Sequence, residues 1–76
     1  MFNMENFIDL FREQLDSVDN LVLTADTEFR KLEEWSSLVA LSVIAMVDEE
    51  YNVSLSGDDM RSVSTIGQLF ELISKK

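Results

Sequence analysis

Hydroxyl groups and carboxylates are the side chains with which this chain could do chemistry, because it contains neither histidine nor cysteine. Its most distinctive hydroxyls are Ser36 and Ser37, which follow the single tryptophan, Trp35, and precede a largely apolar stretch over residues 38–47. A nucleophilic serine needs a neighbouring base, and zinc sites use histidine or cysteine ligands. The composition therefore predicts a protein that is not an enzyme of the common kinds and that has no metal site.

The adjacent carboxylates Asp58 and Asp59 are the other candidate for chemistry, as a general acid and base. Neighbouring positions on a helix point about 100° apart, so the two groups cannot flank one reacting bond. Acidic side chains are favoured at helix N-termini. We therefore expect this pair to lie at the start of a short helix rather than in an active site.

Length and charge limit the kind of protein further. Seventy-six residues suit one domain, predicted over 1–76, and the net charge is -9. That charge repels nucleic acids and anionic membranes and attracts basic protein surfaces. No basic leader precedes an apolar core at the N-terminus, and no apolar stretch approaches the roughly 18 residues of a membrane span. The sequence predicts a soluble, cytoplasmic, monomeric protein.

The elements that hold these residues are predicted to be helices, because proline is absent and glycine occurs only at positions 57 and 67. Apolar residues at helical spacing predict a first helix over about 3–15, and they are Phe2, Phe7, Ile8, Leu10, Phe11 and Leu15. A long loop over 16–34 should follow, with a weak strand signal at 21–23. Its expected anchors in the core are Leu21, Val22, Leu23, Phe29 and Leu32.

A second helix should begin at the serine pair and end near Tyr51–Asn52, since serine accepts a hydrogen bond from a first-turn amide. One brief helical turn is expected around residues 56–59. Thr65 should cap a last helix that ends in Lys75 and Lys76. The fold class is therefore all-α: a small four-helix bundle with three main helices, one short helix and a long first loop.

The second helix is apolar on two sides. At about 100° per residue, one broad arc is predicted to face the core and holds Ala40, Leu41, Val43, Ile44, Val47 and Tyr51. Leu38, Val39, Ala45 and Met46 lie on the opposite side. Either the helix is covered all round, or this second side is a contact surface with an acidic rim of Glu33, Glu34, Asp48, Glu49 and Glu50. So short a chain favours the contact surface.

Three segments give the chain a resemblance to the acyl carrier protein family: W-S-S-L at 35–38, the apolar helix closing on D-E-E-Y at 48–51, and T-I-G-x-L at 65–69. The resemblance covers about the whole chain. It implies that Ser37 carries 4′-phosphopantetheine, because the family attaches this group to the serine of a D-S-L motif. It further implies a non-catalytic carrier that presents an acyl or aminoacyl thioester to enzymes of fatty acid or related acyl-chain biosynthesis.

The resemblance also implies partners and their sites. A phosphopantetheinyl transferase should load Ser37, and acyl-transferring or condensing enzymes with basic patches should dock nearby. The expected docking residues are Leu38, Val39, Ser42, Met46, Asp48, Glu49 and Glu50. The expected acyl pocket is formed by Leu41, Ile44, Val47, Phe70 and Ile73.

One residue departs from the family motif: Ser36 stands where aspartate is usual. Three explanations are open, namely a tolerated variant with slower modification, a transferase that does not need the acid, and a degenerate carrier that stays unmodified. Leu38 fixes the register, so Ser37 rather than Ser36 corresponds to the modified serine. The alternative function is a small acidic interaction domain without a prosthetic group.

Overall fold

The computed structural model describes residues 3–15 and 22–76, and in this part of the chain four α-helices form a small bundle. They are α1 (Met4–Arg12), α2 (Ser37–Tyr51), α3 (Gly57–Ser62) and α4 (Ile66–Lys75). A 3₁₀ turn, Phe29–Lys31, interrupts the first connection. The predicted all-α class, with three main helices and one short one, is confirmed.

Polar caps determine where the helices begin. Asn3, Ser36, Ser56 and Thr65 each accept a hydrogen bond from an amide in the first turn of the helix that follows. The predicted starts of α2 and α4 are thus confirmed. The first helix is shorter than predicted: it ends at Arg12, and the next residues form tighter turns in which Leu15 N–H donates to the Arg12 carbonyl at 3.0 Å.

Buried residues of α1, α2 and α4 belong to one hydrophobic core. Its fully buried side chains come from every helix except α3 and from the 3₁₀ turn, and they are Phe7, Phe11, Phe29, Val43, Val47, Ile66, Leu69 and Ile73. Phe2 and Leu21, two predicted members of this apolar set, lie outside the described residues.

The face that α2 turns to the core differs from the predicted one. Val43 and Val47 are fully buried as predicted, but Met46 is only 6% exposed and Leu41 is 62% exposed. The buried arc is therefore rotated by roughly 70° from the predicted one, at about 100° per residue. The placements of Met46 on the outer face and of Leu41 in the core are wrong. Apolar residues on nearly every side of α2 left the choice to tertiary packing, in which α2 contacts α1.

Long-range contacts hold the first connection in place. Leu23 and Phe29 are buried and Leu32 is half-buried, as predicted, whereas Val22 is 80% exposed, so its prediction as an anchor is wrong. Val22 and Leu23 form no strand. One guanidinium nitrogen of Arg30 donates to the Val63 carbonyl and, at 2.7 Å, to the Met60 carbonyl. The loop is thereby tied to the end of α3.

Two backbone hydrogen bonds tie the same loop to the start of α4. Ile66 N–H donates to the Thr27 carbonyl at 3.0 Å, and Gly67 N–H donates to the Ala25 carbonyl at 2.8 Å. A Cβ atom at position 67 would lie 3.0 Å from that carbonyl oxygen and 3.1 Å from the Ala25 Cβ. Glycine at 67 therefore allows the loop to approach the helix closely.

The carboxylate of Asp59 stabilises the short helix α3 and should make the fold sensitive to acid. The Ser56 amide donates to it at 3.0 Å, and Lys76 Nζ lies 3.1 Å from it. Both contacts favour the charged form and lower the pKa of Asp59. A depressed pKa in the folded state stabilises the fold above the unfolded value of about 3.9 and ceases to do so as the pH falls through the folded pKa.

We predict that Asp59→Asn lowers the free energy of unfolding at neutral pH and that the difference from wild type shrinks as the pH falls below about 4. Urea unfolding followed by circular dichroism at several pH values measures it. A difference that stays constant down to pH 2 would show that the charge of Asp59 is not the cause.

Candidate functional site

The start of α2 separates the roles of its two serines. Ser36 is the N-cap: its backbone is extended, with φ -152° and ψ 171°, and its Oγ accepts from the Val39 amide at 3.2 Å. Ser37 is the first residue of the helix and is exposed. Because the neighbouring serine provides the cap, the Ser37 hydroxyl is available for another purpose.

An anion attached to Ser37 would be stabilised by the backbone around it. Val39 N–H is taken by the cap and Ala40 N–H donates to the Ser36 carbonyl at 2.9 Å. The amides of Ser37 and Leu38 belong to the first turn and have no acceptor within the helix. They lie at the positive end of the helix dipole, which favours a phosphate group there. The residues present thus fit a phosphodiester on the Ser37 oxygen.

A groove of about 460 Å³ lies beside the serine pair, between α2 and α3. Its apolar lining consists of Trp35, Ala40, Leu41, Ile44 and Met60. Its other lining residues are Ser36, Ser37, Gly57 and Arg61. The groove can therefore shelter a flexible, partly apolar group that is attached to the Ser37 hydroxyl.

Trp35 lines this groove and is held by contacts with the aromatic core. Its ring stacks on Phe11 with an angle of 6° between the planes, and its centroid lies 4.9 Å from that of Phe29. The loop that precedes α2 is thus packed against α1 and the 3₁₀ turn at the point where the site begins. Sequence reasoning named Trp35 only as a neighbour of the serines and missed its place in the groove.

Only part of the predicted acyl pocket surrounds this groove. Of the residues predicted to form that pocket, Leu41 and Ile44 line the groove. Val47 and Ile73 are fully buried in the core instead. Phe70 is half-buried against Phe7, with ring centroids 5.5 Å apart. Val47, Phe70 and Ile73 are not among the residues that line the groove, whereas Met60, Gly57 and Arg61 of α3, which the sequence did not suggest, are.

The predicted docking residues divide between two parts of the surface. Leu38 is 73% exposed and lies next to Ser37, while Val39 is half-buried. Asp48, Glu49 and Glu50 are exposed at the other end of α2.

Met46 does not lie at the centre of an exposed patch, because its side chain is in the core. Together with Ser42, Glu49 and Glu50 it contributes to a second cavity of about 330 Å³, which is also lined by Leu10 of α1 and by Glu13 and Gln14, which follow that helix. The exposed apolar surface beside Ser37 consists instead of Leu38 and Leu41, 73% and 62% exposed.

No helix in the described ranges, 3–15 and 22–76, has both the length and the apolar character that crossing a bilayer requires.

Comparison with known proteins gives concordant matches. The family model described as "Phosphopantetheine attachment site" matches residues 5–73. A curated relative, acyl carrier protein 1, chloroplastic, from Spinacia oleracea, is 30% identical over 70 residues, which are 92% of this chain and 50% of that protein. The chain thus spans about half the length of the curated relative it matches. The solution structure of holo acyl carrier protein from Geobacter metallireducens superposes with a TM-score of 0.79 at 25% identity, covering 100% of this chain and 86% of that one.

Proposed function

Because this chain belongs to the acyl carrier protein family, whose cofactor is covalently attached 4′-phosphopantetheine, we propose that the Ser37 hydroxyl is its point of attachment. The observation that carries the proposal is the position of Ser37. It is exposed at the first position of α2, Ser36 provides the cap in its place, and both serines line the groove. The resemblance in sequence pointed to the same serine.

Each part of the site then has a task in loading. The Ser37 oxygen forms the new bond to phosphorus and gives up its proton, while the diphosphate bond of coenzyme A breaks and adenosine 3′,5′-bisphosphate leaves. First-turn amides at the start of α2 stabilise the resulting phosphodiester. When bound, the cofactor supplies the thiol that carries an acyl group as a thioester, a reactive sulfur that a chain without cysteine lacks.

The surface around Ser37 is suited to enzymes that visit the loaded carrier. Leu38 and Leu41 present apolar side chains beside the attachment point, and such patches with charged surroundings are typical of binding sites. Asp48, Glu49 and Glu50 extend negative charge along α2, which speeds encounters with basic surfaces more than it tightens them. We propose that a phosphopantetheinyl transferase and acyl-transferring or condensing enzymes bind this face.

The proposed pathway is fatty acid or related acyl-chain biosynthesis, in which the chain carries the cargo and catalyses no step. The support is the family and the name of the spinach relative, an acyl carrier protein. That name places the relative in the chloroplast. For this chain we propose the cytoplasm, on the sequence alone.

Intact mass measurement tests the proposal. After incubation with coenzyme A, magnesium and a phosphopantetheinyl transferase, the chain should gain the mass of one phosphopantetheine. A transferase that loads a known carrier in the same tube provides the control. A chain that gains nothing under those conditions would instead support a small acidic interaction domain.

We further predict that Ser36→Asp restores the usual residue of the motif and speeds loading without disturbing the fold. Aspartate is as good an N-cap as serine, so α2 should begin at the same residue. The added carboxylate should attract a basic transferase, raising the second-order rate of loading severalfold at low salt and less at high salt. An unchanged rate of loading at low salt would indicate that the transferase does not recognise the residue at position 36.

A further inference from the structure

Arg61 is the cationic residue of the groove. No other lysine or arginine occurs between Lys31 and Lys75, so α2, α3 and the connection between these two helices carry a single positive side chain against many carboxylates. Arg61 nevertheless lines the groove together with Ser36 and Ser37. A guanidinium at this position gives the groove an affinity for anions that its apolar walls lack.

Little holds the Arg61 side chain to its present partner. It pairs with Asp58, three residues earlier on α3, and the two side chains are 73% and 88% exposed. Exposed pairs at this spacing contribute little to stability. The guanidinium can therefore exchange the Asp58 carboxylate for another oxyanion at small cost.

The other side chains that line the groove show why the exchange of Asp58 for another oxyanion would matter. Trp35, Leu41, Ile44 and Met60 offer contact to apolar atoms but no hydrogen-bond donor in reach of an anion except the indole N–H. A saturated acyl chain would gain nothing from a guanidinium. A phosphate or carboxylate would gain two parallel, charge-assisted hydrogen bonds.

We propose that Arg61 is a positioning residue that binds an oxyanion of the loaded arm and so holds the arm in the groove between α2 and α3. The inference rests on the proposed function, attachment at Ser37. Two oxyanions have the required chemistry: the phosphodiester next to Ser37, and a carboxylate at the far end of a dicarboxylic acyl group. The same experiment distinguishes them.

Four forms of the protein are needed: unloaded, loaded from coenzyme A, loaded from pentanoyl-coenzyme A, and loaded from glutaryl-coenzyme A. Pentanoyl and glutaryl have the same number of carbons and differ in ending in a methyl or a carboxylate. Intact mass first verifies loading, so a failure of attachment is seen separately and counts against the proposed function alone. The melting temperature of each loaded form is then compared with that of the unloaded form of the same variant, which cancels any structural role of Arg61.

If Arg61 binds the carboxylate, glutaryl should raise the melting temperature above pentanoyl by about 4 °C, because even a modest gain in stability shifts the unfolding midpoint of a domain this small by several degrees. Arg61→Gln should abolish that difference, Arg61→Lys should retain part of it, and high salt should reduce it. If Arg61 binds the phosphodiester, the loaded forms should share one rise that Arg61→Gln removes. Asp58→Asn, which releases the guanidinium, should enlarge the effect in either case. Rises that are equal in wild type and Arg61→Gln for every loaded form would overturn the proposal.

Discussion

Ser37→Ala should abolish loading completely: after incubation with coenzyme A, magnesium and a phosphopantetheinyl transferase, its intact mass should equal that of the untreated variant. The reason is chemical, since removal of Oγ removes the only atom through which this position can bond to phosphorus. The fold should remain, because the Ser37 side chain is exposed and the cap of α2 comes from its neighbour. Alanine is also a strong helix former at this position.

Ser36→Ala is the matched control for that variant. It removes the hydroxyl that accepts from the Val39 amide, which should lower the stability of the domain by about 1 kcal/mol. Loading should persist, since Ser37 is untouched. The opposite pattern, with loading lost in Ser36→Ala and kept in Ser37→Ala, would show that the arm is attached to Ser36 and not to Ser37.

Phe29→Ala should have the largest effect on stability. Phe29 is fully buried, with ring centroids 5.8 Å from Phe11 and 4.9 Å from Trp35. Replacing a buried phenylalanine by alanine costs about 3–5 kcal/mol, a large share of the roughly 5–15 kcal/mol that stabilises a whole protein. Trp35 loses a packing partner in this variant, so the part of the groove that it lines should loosen as well.

Urea unfolding followed by circular dichroism measures this loss, and the fluorescence of the single tryptophan reports on the groove. Val22→Ala lies in the same connection and is the control: Val22 is 80% exposed, so its truncation should change stability by no more than about 0.5 kcal/mol. Equal, small effects of both substitutions would mean that the 3₁₀ turn does not support the core.

The helices could be predicted from the sequence because their signals are local. Ser36 and Thr65 indicate the starts of α2 and α4, because each places a side-chain oxygen before an apolar stretch. In the structure both oxygens accept hydrogen bonds from first-turn amides. The end of α2 near Tyr51–Asn52 was also predicted. Asn52 there adopts the left-handed conformation, with φ 57°, which asparagine tolerates better than most residues.

The orientation of α2 could not be predicted in the same way. A helix with apolar residues on nearly every side has several arcs that could face the core, and tertiary packing, including the contact of α2 with α1, decides between them. The choice has consequences for the site. It buries Met46 and leaves Leu41 exposed beside Ser37, so the apolar surface next to the proposed attachment point is different from the predicted one.

The contribution of α3 to the groove could not be predicted from the sequence either. Met60 and Arg61 line the same groove as the serines. Hydrogen bonds from Arg30 to carbonyls 30 and 33 residues away in sequence help to hold this part of the chain in place. No local pattern predicts contacts at such separations. The isolation of Arg61 among acidic residues was visible, but its proximity to Ser37 was not.

The most direct measurement is fragmentation mass spectrometry of the wild-type chain after loading, since it locates the added group without any substitution. We expect the mass of one phosphopantetheine on fragments that contain Ser37 and its absence from fragments that end at Ser36. An arm found on another residue, or a chain that stays unmodified beside a control carrier that is loaded, would contradict attachment at Ser37.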